Sequence, residues 1–273
     1  MPEGPEIRLA ADRIANVLVG QRLEDVQLGL PKLRKFGSVL LGATTTRIDT
    51  RGKAMLTYFD NDKVLYTHNQ LYGRWYVCAR GEMPSTNRQL RVALHTAHAS
   101  ALLYSASDIE LLDANTVDSH PFVSRLGPDI LDSELRVEDI EARLLDARFA
   151  NRALASLYLD QRFLAGNGNY LRSEILFFAS LAITRKPSGL SAQERRRLAQ
   201  TTLTIARRSY RTRGITNPPA LVKARKAAGN SSYSKYRFAV FGRDGHPCDA
   251  CGSTIQRDVA ASRRIYFCAQ CQS

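Results

Sequence analysis

The sequence predicts an α+β multidomain fold: an N-terminal helix joined to an antiparallel β-sandwich lobe, a helical lobe, and a C-terminal β-hairpin module closed by cysteines. Three observations predict it. At 273 residues the chain is longer than one hydrophobic core usually grows, and its apolar share of 44% is that of a folded protein. The apolar period is helical at the start, alternates to about Leu112, and turns helical again beyond Asp132. Four of the five cysteines lie between Cys248 and Cys271.

The first element is a helix, because Ile7, Ala10, Ala11, Ile14, Val17 and Leu18 repeat at helical spacing and Gly20 can end it. Pro2 and Pro5 suit an unfinished first turn. From Arg22 to Leu112 the pattern is alternation, as in Val26-Leu28-Leu30, Ala54-Leu56-Tyr58 and Leu90-Val92-Leu94, with Asp60-Asn61-Asp62 as a hairpin turn. Cys78, in one such run, reads as a small buried residue. His120 to Asp132, with Pro121, Gly127 and Pro128, reads as a linker. Helices are expected over Ser133–Ala147, Leu154–Phe163, Tyr170–Ser180 and Ser191–Arg208, the last opened by a Ser191/Glu194 capping box. Thr216–Tyr236, with Pro218, Pro219, Gly229 and a serine run, reads as a mobile loop. The resulting boundaries are a sandwich lobe at 1–120, a linker at 121–132, a helical lobe at 133–238 and a cysteine module at 239–273.

Charge narrows the partners. The chain carries +13 with an isoelectric point near 9.8, a lasting positive field toward polyanions. The excess is concentrated: from Arg185 to Arg243 there are fifteen Lys or Arg and one acid, Glu194. Phosphate contact requires such a concentration, so nucleic acid is the expected partner. No apolar run reaches 18 residues and the first residues are polar, so a soluble, cytoplasmic protein without a membrane partner is expected.

Cys248-x-x-Cys251 and Cys268-x-x-Cys271, with sixteen residues between the pairs, supply four thiolates for one tetrahedral zinc ion. Four protein ligands close the coordination sphere and leave no position for an activated water, so this zinc is structural. Gly166-Asn167-Gly168 lies between helical stretches; two glycines let the backbone approach a ligand and leave amides exposed, with Asn169 ready to donate to phosphate. Removal of Met1 would leave Pro2 as a free secondary amine beside Glu3. Such an amine titrates far below a lysine, so an appreciable fraction is unprotonated and nucleophilic at neutral pH.

Taken together these residues resemble the formamidopyrimidine-DNA glycosylase and endonuclease VIII family, and the endonuclease VIII branch most closely. The resemblance spans essentially the whole chain. It rests on Met1-Pro-Glu-Gly-Pro-Glu-Ile, Arg51-Gly-Lys-Ala, His68-Asn-Gln-Leu-Tyr-Gly, Leu103-Tyr-Ser-Ala-Ser-Asp and Arg125-Leu-Gly-Pro-Asp. It continues through Leu159-Asp-Gln, Asn169-Tyr-Leu-Arg, the four cysteines and Ser262-Arg263. Two positions depart from the family pattern: Asn167, where an aliphatic residue is usual, and Arg264, where close relatives carry proline.

The resemblance implies a two-lobed enzyme whose second lobe holds a helix-two-turn-helix, with a zinc finger that helps grip damaged double-stranded DNA. It implies base-excision repair as a monomer without a nucleotide cofactor. Pro2 would be the nucleophile forming a Schiff base. Glu3 would be the proton donor, a role aided if burial raises its pKa. Lys53 and Arg263 would assist β- and δ-elimination. Gln70, Leu71 and Tyr72 would fill the gap left by an extruded nucleotide, and Arg125 and Asn169 would contact phosphates. Glu6 and Glu174 match acidic positions near the family's site. Oxidised pyrimidines are the expected substrates; an oxidised-purine (8-oxoguanine) glycosylase and a non-catalytic zinc protein that binds damaged DNA are the alternatives.

Overall fold

The structure, a computed structural model, describes residues 2–273. The chain divides into two compact units, one formed by Pro2 with residues 6–125, the other by residues 3–5 with 126–273.

The first unit opens on α1 (Gly4–Leu18). The strands are β1 (Asp25–Leu28), β2 (Thr45–Arg51), β3 (Ala54–Phe59), β4 (Lys63–His68), β5 (Arg74–Ala79), β6 (Leu90–His95), β7 (Ala99–Tyr104) and β8 (Asp108–Asp113). They form two four-stranded antiparallel sheets, ordered β1-β6-β7-β5 and β2-β3-β4-β8. Alternation sorts the side chains as expected. Met55, Phe59 and Leu65 pack with Val92, Leu94, Ala101 and Leu103 and with Ile7, Ala11 and Ile14 of α1. The alternate residues Ala54, Leu56, Tyr58, Val64 and Tyr66 turn to the other face and pack under Val117 and Val123. The Asp60-Asn61-Asp62 turn joins β3 to β4, with Asp62 at φ +60°.

Two expectations for this unit are corrected. Residues 31–40 are not strand: a 3₁₀ turn, Pro31–Phe36, runs into α2 (Gly37–Leu40), because Pro31 favours a helical first turn and Leu33 and Leu40 bury on one side. Cys78 is half-buried rather than buried, since β5 is an edge strand; its thiol lies 3.2 Å from the Glu82 carbonyl oxygen.

The second unit contains α3 (Val137–Leu145), α4 (Ala147–Ala150), α5 (Leu154–Leu157), α6 (Asn169–Phe178), α7 (Ala192–Arg211), α8 (Pro219–Ala227) and α9 (Tyr233–Tyr236). It ends on the hairpin β9 (Gln256–Ala260) and β10 (Arg263–Phe267). The capping box opens α7 as expected: the Ser191 hydroxyl accepts from the Glu194 N–H, and Glu194 accepts from the Ser191 N–H. The helix expected over Leu154–Phe163 stops at Leu157, because Asp160 bends the chain by accepting the Arg162 N–H. Phe163 and Leu164 are buried without being helical.

The mobile loop expected at Thr216–Tyr236 is instead α8 and α9. Pro219 supplies the first turn of α8 rather than breaking it. Arg225 then pins the segment: its buried guanidinium donates to the carbonyls of Lys235 and Phe238 and pairs with Asp249. No helix among the described residues is long and apolar enough to cross a membrane.

Candidate active site

Met1 lies outside the described residues, so the expected loss of that residue has no structural counterpart here. Pro2 and Glu3 follow directly. Glu3 is 3% exposed, and its carboxylate closes the amino end of α6: the Tyr170 N–H donates to Oε1 at 2.8 Å and the Leu171 N–H to Oε2 at 3.2 Å. The Gly4 N–H donates to the Gly166 carbonyl at 2.8 Å and fixes the segment.

This geometry corrects one expectation. The glycine turn does not leave its amides exposed to phosphate: residues 166–168 are buried, and the amides that follow them hold Glu3. At Glu3 two N–H donors of a helix amino terminus meet the buried carboxyl group. Gly168 is required for space: a Cβ there would lie 2.3 Å from Glu3 Cδ. Its φ is −147°, extended backbone open to any residue, so the constraint is steric. Asn167, the departure noted in the sequence, is fully buried, and neither atom of its amide has a hydrogen-bond partner.

In the first unit, Lys53 sits in the tight β2–β3 turn after Gly52, whose φ is +61°. His68 ends β4 nearby, paired in register with Ala54 on one side and Asp108 on the other. Burial lowers the His68 pKa; Asp108 pulls it back up and the Lys53 charge pushes it further down. Its Nδ1 accepts the Gln70 N–H at 3.3 Å, which needs the neutral ring.

The β4–β5 turn that follows carries the expected gap-filling residues. Gln70 has φ +48° and its side-chain oxygen accepts from the Ser107 hydroxyl at 3.0 Å. The Gly73 N–H returns to the Asn69 carbonyl at 2.7 Å, and Arg88 donates to the Tyr72 carbonyl. Leu71 and Tyr72 are therefore turn residues rather than strand packing, 57% and 68% exposed. A cavity of about 470 Å³ beside them is lined by Pro2, Glu6, Asn69, Trp75 and Arg88, among others. Arg125 is exposed at the end of the unit, its Nε donating to the Pro121 carbonyl at 2.6 Å.

In the second unit α6 gathers the remaining candidates. Asn169 is its first residue, and its side-chain oxygen accepts from Arg172 at 2.9 Å. Glu174 is not a surface charge. It is fully buried and accepts from the Thr216 hydroxyl (2.5 Å) and from the amides of Ala239, Val240 and Phe241 (2.8, 2.8 and 2.9 Å). It thus fixes the chain where the cysteine module begins. Arg263 opens β10 after the two-residue turn Ala261-Ser262, both at positive φ (+51° and +59°), and Arg264 is exposed beside it.

The four cysteines converge. Their sulfurs all lie within 4.8 Å of one another, Cys248 to Cys271 at 3.9 Å and Cys251 to Cys268 at 3.5 Å. A tetrahedral zinc with bonds of ~2.3 Å sets its sulfurs ~3.8 Å apart, so the donor set fits one four-thiolate zinc. Cys78 lies in the first unit and is not part of this set.

Residues 1–108 match the family model of the formamidopyrimidine-DNA glycosylase N-terminal domain, and residues 245–273 that of the zinc finger found in FPG and IleRS. The chain belongs to the formamidopyrimidine-DNA glycosylase and endonuclease 8 family, DNA glycosylases and AP lyases of base-excision repair. Within that family it is similar to Endonuclease 8 of Escherichia coli (strain K12 / DH10B), 49% identical over 272 residues and 100% of both chains. It is also similar to Endonuclease 8 of Klebsiella pneumoniae (strain 342), 48% identical over 273 residues and 100% of both chains. The fold is shared with wild-type Lactococcus lactis Fpg (MutM) solved with N7-benzyl-Fapy-dG-containing DNA, at TM-score 0.82, 20% identity and 99% coverage of each chain.

Sequence reasoning missed two residues that the structure sets among the candidates. His68 stood inside a quoted motif, but only the strand register shows it beside Lys53 and Gln70. Arg172 followed Asn169-Tyr-Leu in another; an arginine on a basic chain gives no sign that it will be buried.

Proposed function

We propose that this chain removes oxidised pyrimidines from duplex DNA and then cuts the strand at the resulting abasic site, acting as a cytoplasmic monomer without a nucleotide cofactor. The observation that carries the chemistry is Glu3, locked by the Tyr170 and Leu171 amides one peptide away from the Pro2 nitrogen. The full-length similarity to Endonuclease 8 supports the choice of substrate class.

In this reading the Pro2 nitrogen attacks C1′ of an extruded nucleotide and the base leaves with the glycosidic electron pair. Glu3 delivers a proton to the deoxyribose ring oxygen, and the ring opens to an iminium linkage. That proton is drawn from the attacking amine, which gives it up to Glu3 as the bond to C1′ forms. Loss of a C2′ proton expels the 3′ phosphate with help from Lys53, and a second elimination, assisted by Arg263, expels the 5′ phosphate. Water hydrolyses the remaining iminium, releasing the unsaturated aldehyde and the Pro2 amine, and a one-nucleotide gap with phosphate at both ends remains. Gln70, Leu71 and Tyr72 occupy the vacated stack, and Arg125 and Asn169 take phosphates. Glu6, on the wall of the cavity with Pro2, faces the same chemistry. The proposed division of labour is a catalytic lobe over 1–120, a linker over 121–132, a DNA-binding helical lobe over 133–238 and the finger over 239–273.

Borohydride trapping tests the nucleophile. Protein lacking Met1 should form a covalent adduct with an oxidised-pyrimidine duplex, and Pro2→Gly or an acetylated amino terminus should not; equal trapping by the blocked protein would exclude Pro2. Parallel assays on thymine glycol and on 8-oxoguanine opposite cytosine test the substrate class, and preference for the purine would overturn it. Failure to nick an abasic duplex would leave only a binding protein.

A further inference from the structure

Arg172 lies one turn into α6, fully buried, and its guanidinium is engaged in five directions at once. Nη1 donates to the carbonyls of Ala155 (2.7 Å) and Ala260 (3.1 Å). Nη2 donates to Asn169 Oδ1 (2.9 Å) and to the carbonyls of Arg263 (2.9 Å) and Arg264 (3.1 Å). Three of these acceptors flank the Ala261-Ser262 turn at the tip of the β9–β10 hairpin. Burial is the main influence on its charge, pushing the pKa down to about 10, with Glu3 raising it and Arg263 lowering it.

The cost of burying a cation demands a reason. A planar fork with five donors can hold several oxygens in fixed directions, whereas an ammonium is a single point with three. Four of the five oxygens held here share a property: they belong to Asn169 or to the hairpin that carries Arg263, the two polar elements already assigned to phosphate, while the fifth, the Ala155 carbonyl, ties the same guanidinium to α5. Accepting from Arg172 fixes which way the Asn169 amide faces, with oxygen inward and its NH₂ left to point away as a donor. Holding the Arg263 and Arg264 carbonyls fixes the backbone from which the finger arginines project. The two residues before Arg172, Tyr170 and Leu171, hold Glu3.

We propose that Arg172 is a positioning residue that sets the Asn169 amide and the finger arginine in one frame, so that both meet the DNA backbone together. It touches neither DNA nor the reacting atoms and acts through Asn169 and Arg263. The inference rests on the reading that those two residues contact DNA.

The test uses zinc-loaded full-length protein and abasic duplex. Arg172→Lys keeps the charge and loses the fork. It should keep its zinc and its circular dichroism, raise KM tenfold or more, and shift product from the doubly eliminated gap toward the aldehyde left by β-elimination alone. On an Arg263→Gln background the same change should move the product ratio less than twofold, because its route is already cut. Asn169→Asp, which keeps an acceptor for Arg172 and loses the outward donor, should melt no lower than the parent and bind DNA at least tenfold more weakly.

A lowered melting temperature with unchanged KM and product ratio in Arg172→Lys would reduce the residue to a folding role. So would full additivity with Arg263→Gln. Parental DNA affinity in Asn169→Asp would overturn the inferred amide orientation, and this arm decides the matter if Arg172→Lys does not fold. If Arg263→Gln and Asn169→Ala themselves cleave like the parent, the assignment of those two residues fails instead.

Discussion

The sharpest constraint at the scale of single residues is between Gly168 and Glu3. Alanine at 168 is conformationally permitted, yet its Cβ would meet the Glu3 carboxyl at 2.3 Å, so the carboxylate must leave the α6 amides. Misplacing a catalytic group by an ångström costs roughly 10²-fold in rate. Gly168→Ala should therefore lose about that factor in single-turnover incision while melting within a few degrees of the parent; normal incision would show that Glu3 acts from elsewhere. Asn167 gives the opposite expectation. An unpartnered buried polar group costs about 1–3 kcal/mol, and Asn167 buries two such atoms. Asn167→Leu should raise the unfolding temperature without loss of incision, read by thermal melts and a gel assay. How legible these residues were follows from what sequence encodes. Pro2, Glu3 and the four cysteines were readable because their chemistry depends on identity and spacing. Gly168 was readable as a glycine but not in its purpose, because the neighbour that forbids a side chain stands 165 positions earlier in the chain.

At the scale of elements, the β4–β5 turn links position to protonation. His68 Nδ1 accepts the Gln70 N–H only while the ring is neutral; once protonated it turns donor, and Asp108 Oδ2, 3.9 Å away, becomes its partner. Burial, opposed by Asp108 and reinforced by Lys53, lowers its folded pKa below the ordinary histidine value. The unfolded chain therefore takes up the proton first, so stability is complete above a pH of about 6.5 and declines as pH falls below it. Urea unfolding at about pH 7.5 and about pH 5.5 should show this loss, and His68→Gln should show a smaller one. His95, also lowered, first by burial, supplies part of the remainder. An unchanged loss in His68→Gln would remove His68 from the account. The strands themselves were legible from their two-residue period, though β3 is buried along its whole length because its two faces meet separate apolar clusters. α8 was not. Its composition is that of a loop, and what orders it is Arg225 reaching Asp249, a long-range pair that no local pattern announces.

At the scale of the whole molecule, two bulk properties carry predictions. Phosphate neutralisation releases counterions, so affinity for duplex DNA should fall as a power of salt concentration, with a logarithmic slope of about −0.9 per phosphate contacted. Replacing Arg125 should reduce that slope by about one, and a flat salt response would refute the basic surface as the source of affinity. Zinc removal should act at a distance. The cysteine module supplies carbonyls to Arg172 and receives the chain clamped by Glu174, so opening it unfastens both buried charges of α6. Metal-free protein should lose DNA binding and incision, and both should return when zinc is restored; cutting at the parental rate without metal would disprove the coupling. The finger's existence was readable from four cysteines. Its attachment to α6 was not, because the ties run through peptide groups that every residue possesses.

That last property bears on mutation. Two of the groups that hold Glu3 are the backbone N–H bonds of Tyr170 and Leu171. No exchange of one ordinary side chain for another deletes them; among the twenty amino acids only proline lacks the donor. The anchoring of the acid is thus shielded from most single codon changes at the positions that provide it. Its vulnerability is displaced onto Gly168, where a side chain would collide with the acid, and onto Glu3 itself.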